Sequence, residues 1–219
     1  MSEWKIHCMQ VGDLDTNCYL VYQDILTEKE ELRKGVIIDP GDDAYYILNR
    51  CKELAAEPAA VLLTHGHGDH IMAAEDICKA FHIPLLAGEK EEALLADAEA
   101  NLSCHFGHPT ALKADRLLKD GETFELLGRT WQVLFTPGHT PGGVCFYVAE
   151  EGVLFSGDTL FSRSVGRTDF PGGDLHALVA SVYDKLFVLP DETVVYPGHG
   201  EYTSIAFEKK YNMISHARR

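Results

Sequence analysis

Thr64-His65-Gly66-His67-Gly68-Asp69-His70 follows immediately on the apolar run Ala59-Ala60-Val61-Leu62-Leu63. The run is short, partly β-branched and preceded by Pro58, so it reads as a buried strand that ends where the imidazoles and the carboxylate begin. These are the groups that zinc and other borderline divalent cations take as ligands. Gly66 and Gly68 stand where a Cβ would hinder turning of the backbone. His65 and His67, at alternate positions, then point one way, while Asp69 and His70 turn toward another point. One strand mouth is thus expected to serve two neighbouring metals. Four such groups within six residues, spaced by glycines, are hard to reconcile with an ordinary polar loop.

The chain of 219 residues, 46% hydrophobic and 24% charged, has the composition of a globular protein able to bury a sizeable core. With 34 acidic against 19 basic residues its formal charge is -15, which would repel a phosphate backbone and argues against a nucleic-acid partner. The six cysteines form no C-x-x-C pair and mostly fall in apolar segments, as reduced buried thiols do. Met1-Ser2-Glu3-Trp4-Lys5 opens no secretory signal, and no run is long enough to span a membrane. The expectation is a cytoplasmic protein without a membrane partner, either monomer or homodimer.

Around the organising strand, 4–11 and 17–23 read as an opening hairpin, 35–38 as a third strand and 44–55 as an amphipathic helix. Residues 70–81 form the next helix and 83–87 the next strand, giving a layered α/β rhythm. Asp39, at the end of the third strand, is either a partner that orients a ligand histidine or a plain turn aspartate. A short acidic helix is expected over 89–102. The irregular stretch after it carries His105 and His108, which either border the site or are solvated loop groups. From 120 onward strands dominate, at 123–127, 130–135, 143–148 and 153–156, in the grammar of an antiparallel meander. A helix over 173–189, a strand at 193–196 and a closing helix over 203–213 follow. Strands then helices occur twice, so the expected fold is α/β: a four-layer αββα sandwich in one domain spanning 1–219.

Three further strand ends repeat the design of the first: Pro137-Gly138-His139-Thr140, Ser156-Gly157-Asp158-Thr159 and Pro197-Gly198-His199-Gly200. Each is an apolar strand running into a Gly-containing turn that presents one His or Asp. Together with T-H-x-H-x-D-H at 64–70, these elements resemble the metallo-β-lactamase superfamily, and within it the compact bacterial glyoxalase II-like hydrolases. The resemblance spans nearly the whole chain and implies the metallo-β-lactamase fold with a binuclear site. In it His65, His67 and His139 hold one metal, Asp69, His70 and His199 the other, and Asp158 bridges them. Zinc is the first candidate, with iron or manganese as alternatives. The stretch 166–174, Gly-Arg-Thr-Asp-Phe-Pro-Gly-Gly-Asp, is similar to a segment of the same branch, but Arg163 stands where these relatives often carry glycine. Arg167 reads as one partner of a buried structural ion pair with Asp169 or Asp174, ahead of a substrate contact. Longer glyoxalase II enzymes continue into a helical glutathione-binding domain, whereas twenty residues follow His199 here, so no separate carboxy-terminal substrate domain is expected.

The chemistry implied is metal-assisted attack of water on a carbonyl, with Asp69 orienting the nucleophile and accepting its proton. A thioester such as S-lactoylglutathione is the expected small-molecule substrate, because a thiolate leaves without a general acid. A mononuclear iron persulfide dioxygenase, built on a facial triad from the same ligands, is the alternative. Lactonase or phosphodiesterase chemistry also stays open on this fold. A non-enzymatic metal sensor is disfavoured because all seven ligands are intact.

Overall fold

The first half of the chain begins as a meander and turns parallel. The computed structural model describes residues 3–26 and 31–215. β1 (Trp4–Val11), β2 (Thr16–Leu26) and β3 (Glu31–Ile38) pair antiparallel, and α1 (Ala44–Glu53) crosses to β4 (Ala56–Leu62), which lies parallel to β3. α2 (Gly68–Ile71) and α3 (Ala74–Phe81) lead to β5 (Leu85–Gly88). After α4 (Glu92–Leu95) the chain adds β6 (Arg116–Leu118), so that the sheet order is β1 to β6 in sequence. The second half builds another sheet. β7 (Thr123–Leu126), β8 (Arg129–Phe135), β9 (Val144–Val148) and β10 (Val153–Gly157) form the expected meander. A two-stranded ribbon, β11 (Leu160–Phe161) with β12 (Ser164–Val165), and α5 (Leu175–Ser181) then carry the chain to β13 (Val194–Pro197), parallel to β10. β14 (Thr203–Ser204) forms the far edge and runs into α6 (Ile205–Tyr211).

Strand alternation sorts the apolar side chains into three cores, and these define four layers. Cys18, Leu20, Ile37 and Val61 face α1 and α3, packing on Ile47, Cys51, Ala74 and Ile77. Their neighbours Tyr19, Val21, Ile38 and Leu62 face the other sheet and meet Trp131, Val133, Phe146 and Phe155. On the far side of that sheet Leu134, Cys145, Leu154 and Val195 pack on Val182, Leu186 and Ile205. The expected α/β sandwich is therefore what forms. Trp131 anchors its middle, stacked on Phe155 with ring centroids 5.8 Å apart, while its indole N–H donates to the Leu126 carbonyl.

Three helices differ from the periodicity reading, each for a local reason. The helix expected over 70–81 breaks because the N–H groups of Met72 and Ala73 donate to the carbonyls of Gly41 and Pro40 across the loop after β3. The helix expected over 89–102 shrinks to a 3-10 turn plus α4, since the Asp97 carboxylate accepts from the N–H groups of Glu99 and Ala100 and bends the chain. The one over 173–189 starts at Leu175 and passes into a π-helical turn at Val182–Leu186. Pro58 lies inside β4 rather than ahead of it, where the register between β3 and β4 slips after Gly35 and forgoes regular pairing.

β3, β4, β8, β10 and β13 all run in the same sense within their sheets. Their carboxyl ends therefore deliver Asp39, the Thr64–His70 segment, His139, Asp158 and His199 to one edge of the sandwich, the usual position for a site in an open α/β fold.

Candidate metal centre

The seven residues expected as ligands converge. His65, His67 and His139 place one ring nitrogen each within 4.8 Å of one another, and Asp69, His70 and His199 form a second such group. Asp158 lies between the two. Its Oδ1 is 3.4 Å from His70 Nε2, and its Oδ2 is 3.5 Å from His139 Nε2 and 3.7 Å from His199 Nε2. Asp69 Oδ2 is 3.2 Å from His199 Nε2 and 3.5 Å from His70 Nε2, and accepts a hydrogen bond from the Thr16 hydroxyl at 3.1 Å.

In four of the five histidines the ring nitrogen that faces away from the cluster is occupied, while His67 Nδ1 lies 2.9 Å from His139 Nε2 within it. His70 Nδ1 donates to Asp39 Oδ2 at 3.0 Å, His139 Nδ1 to the Arg167 carbonyl at 2.7 Å and His199 Nδ1 to the Leu14 carbonyl at 3.2 Å. His65 Nδ1 lies 3.1 Å from the Thr64 hydroxyl, whose own hydrogen goes to Asp39 Oδ2 at 2.6 Å. A neutral imidazole whose Nδ1 carries the hydrogen has its Nε2 lone pair free, and here it points inward. Asp39 thus orients two rings, one directly and one through Thr64, and is more than a turn residue.

His65 Nε2, His70 Nε2 and Asp158 Oδ1 are buried without a hydrogen-bond partner. Three such atoms in one place are costly unless something else satisfies them, and cations fit a donor set of imidazoles and carboxylates. The electrostatics differ between the two groups. Burial holds His65 well below the ordinary imidazole range, helped by His70 and His139. His67 is pushed down to about 3 by burial and by His139. Burial would raise Asp69 and Asp158, but His70 and His199 outweigh it and keep both carboxyls ionised. Those carboxylates in turn lift His70 and His199 against the opposing effect of burial.

Close approach, rather than a positive φ, explains Gly68 and Gly198. A Cβ on Gly68 would lie 2.7 Å from Ser103 Cα, and one on Gly198 would strike Asp158 Oδ1 and sit 2.7 Å from His70 Cε1. Other contributors were not legible as site residues. Glu91 is fully buried; its Oε2 accepts from the Gly66 N–H at 2.7 Å, and its Oε1 accepts from the Thr140 hydroxyl at 2.8 Å and the Gly142 N–H at 2.7 Å. One carboxylate therefore ties the loop of His65 and His67 to the loop of His139. Asn17 links the first hairpin to the last site strand, donating its backbone N–H to the Gly198 carbonyl and its side chain to those of Pro197 and Gly200.

The centre opens into a cleft of about 420 Å³ bounded by Leu14, Leu102, Phe106, Phe161, Val165 and Phe170. His105 and His108 are exposed and do not line it; their neighbours Leu102 and Phe106 do. Arg167 does line it, but its ion pair is exposed, not buried: the guanidinium grips both oxygens of Asp169 at 2.7 Å and lies over the Phe170 ring. Asp174 instead caps α5. Arg163, at the position where glycine was the expectation from the resemblance, has a left-handed φ of 64°, the conformation glycine would adopt freely.

The sequence profile of the metallo-β-lactamase superfamily matches residues 11–199. The chain belongs to that superfamily. It is 37% identical over 211 residues to hydroxyacylglutathione hydrolase GloC of Haemophilus influenzae, covering 95% of this chain and 96% of that one. Among solved structures, the BLEG-1 B3 metallo-β-lactamase superposes with a TM-score of 0.86 at 38% identity, covering 97% of this chain and 99% of that chain. TTHA1623, solved in a di-iron-bound form, gives 0.81 at 37% identity, covering 95% and 99%. The metallo-β-lactamase fold is one that binds divalent metals at clusters of this kind. Among the described residues, no helix is long and apolar enough to cross a membrane.

Proposed function

We propose that this metallo-β-lactamase superfamily member is a binuclear hydrolase of small-molecule thioesters, S-lactoylglutathione among them. The reading treats 1–219 as a single catalytic domain. It is carried by one observation: two groups of three candidate ligands lie on either side of Asp158 and open together onto a cleft. His65, His67 and His139 would hold one cation, Asp69, His70 and His199 the other, and Asp158 both; zinc is the first candidate, and iron the main rival. When bound, the pair supplies Lewis acidity toward a carbonyl and lowers the pKa of water.

The chain's own residues do the rest. Asp69, kept ionised and fixed by the Thr16 hydroxyl, orients the attacking water and takes up its proton. Asp39, Thr64, Leu14 and Arg167 hold the rings so that no reorganisation is needed during reaction. Among the described residues, the cleft lining contains no carboxyl group or imidazole outside the proposed ligands. A leaving group that needs protonation would have only the proton taken up by Asp69 to draw on, whereas a thiolate needs none. Similarity to GloC points the same way.

Elemental analysis joined to steady-state kinetics on thioesters tests this. The wild-type protein should retain two metals per chain and hydrolyse S-lactoylglutathione. Asp158→Ala should lower the occupancy of both metals, while His199→Ala should empty mainly one, since Asp158 alone lies between the two groups. A metal-replete protein that cleaves no thioester, or an Asp158→Ala variant that keeps one metal fully bound, would overturn the assignment.

A further inference from the structure

We infer that the cleft selects thioesters whose thiol portion is uncharged and apolar, an aromatic or branched aliphatic thiol, over those of glutathione. The inference rests on the thioester reading and names the substrate class for the same site. Beyond the ligands, the walls are six hydrophobic side chains plus Ser164 and Arg167. A glutathionyl group carries two carboxylates and one ammonium at neutral pH. Drawing those carboxylates against such walls strips them of water, a cost that only opposite charges or hydrogen-bond donors offset.

Among the described residues, Arg167 is the single Lys or Arg of the lining. Asp169 neutralises it through two parallel hydrogen bonds, and its flat face is stacked on Phe170 at 3.9 Å from the ring centroid. The stacked guanidinium thereby continues the apolar wall. A substrate carboxylate reaching for the remaining Nη1 donors would meet the adjacent Asp169 carboxylate, whose charge already offsets that of the guanidinium.

The apolar residues come from four separate segments: the β1–β2 turn (Leu14), the loop after α4 (Leu102, Phe106), the β11–β12 ribbon (Phe161, Val165) and the stretch before α5 (Phe170). Leu14 stays 49% exposed, although its turn is pinned through the hydrogen bond from His199 to its carbonyl. Leu102 holds a left-handed φ of 68°, unusual for a leucine, at the point where the loop enters the cleft. Apolar surface gathered this way around a polar floor is the build of a site for a hydrophobic ligand group.

The test compares the lactoyl thioesters of benzyl mercaptan and of glutathione with the metal-replete protein, alongside binding of two unreactive thioethers, benzyl methyl sulfide and S-methylglutathione, followed by NMR titration. The benzyl ester should be favoured about tenfold or more in kcat/KM, chiefly through a lower KM, because wall contacts are made equally in ground and transition states. The benzyl sulfide should bind tighter by a similar factor. Leu14→Ser and Phe106→Ser should each narrow the ratio between the esters at least threefold. If both esters are cleaved and the glutathione ester is equal or preferred, the inference falls while the hydrolase reading stands. If neither is cleaved, the thioesterase reading falls and the thioethers judge the cleft alone: tighter benzyl sulfide supports its apolar selectivity, and tighter S-methylglutathione overturns it.

Discussion

Asp39 accepts three hydrogen bonds, from the Thr64 N–H, the Thr64 hydroxyl and His70 Nδ1, so the orientation of two proposed ligands depends on one carboxylate. Asp39→Asn keeps the shape but turns an NH2 toward donors. Affinity for both metals should drop by about 10- to 100-fold, read by competition with a chromophoric chelator, with little change in backbone fold. Glu91 plays a similar part for the loops that carry His65, His67 and His139. Glu91→Ala leaves the N–H groups of Gly66 and Gly142 and the Thr140 hydroxyl without their acceptor, and should cost about 1–3 kcal/mol in urea-unfolding free energy. A variant as stable as wild type would show that water or a neighbour replaces it. The proposed ligands could be read in the sequence because metal chemistry allows few residue types and strand ends repeat. Glu91 could not. It stands in the acidic run Glu89-Lys90-Glu91-Glu92, and only the folded chain decides which of these acids is buried between two loops.

At the level of elements, the central strands were legible because their two faces enter different cores, and the alternation is written in the side chains. Helix limits were less so, since they turn on where backbone N–H groups find partners. Met72 and Ala73 have helical side-chain spacing and yet bond to the β3–α1 loop. The π-helical turn after α5 and the three-residue β6 carry no periodicity of their own. α5 shows how an element supports the site. Asp174 caps it, accepting from the N–H groups of His176 and Ala177, while its own N–H donates to the Gly138 carbonyl beside His139. Asp174→Ala should therefore lower stability by about 1 kcal/mol, and Asp174→Asn should recover most of the loss in thermal unfolding. Equal losses in both variants would mean that charge, not capping, is what α5 requires.

Across the whole molecule, the proposed centre couples folding to pH and to metal. His65 and His67 have folded pKa values below the unfolded value of about 6.5, so the unfolded chain binds more protons on acidification, and their contribution is lost as pH falls through that value. Asp69 and Asp158 act in the same direction at lower pH: their depressed pKa values contribute stability above about 4 that disappears as they protonate. His70 and His199 have the opposite sign. Raised in the folded state, they contribute fully below about 6.5 and lose that contribution as pH rises through their folded values. For the chelator-treated protein these groups together give a maximum near pH 6–7 with a fall on either side. Metals bind the folded state and require deprotonated ligands, so the stabilisation they add should grow with pH and remove the alkaline fall. Urea midpoints between pH 4 and 9, with chelator and with metal, measure both limbs. The alkaline limb of the chelated protein should also flatten in His199→Ala, which lacks one of the two groups that hold a proton there. A chelated wild-type protein whose midpoint kept rising from pH 6.5 to 9 would show that these imidazoles do not take up protons from the paired carboxylates' field, and that the two halves of the centre are electrostatically alike.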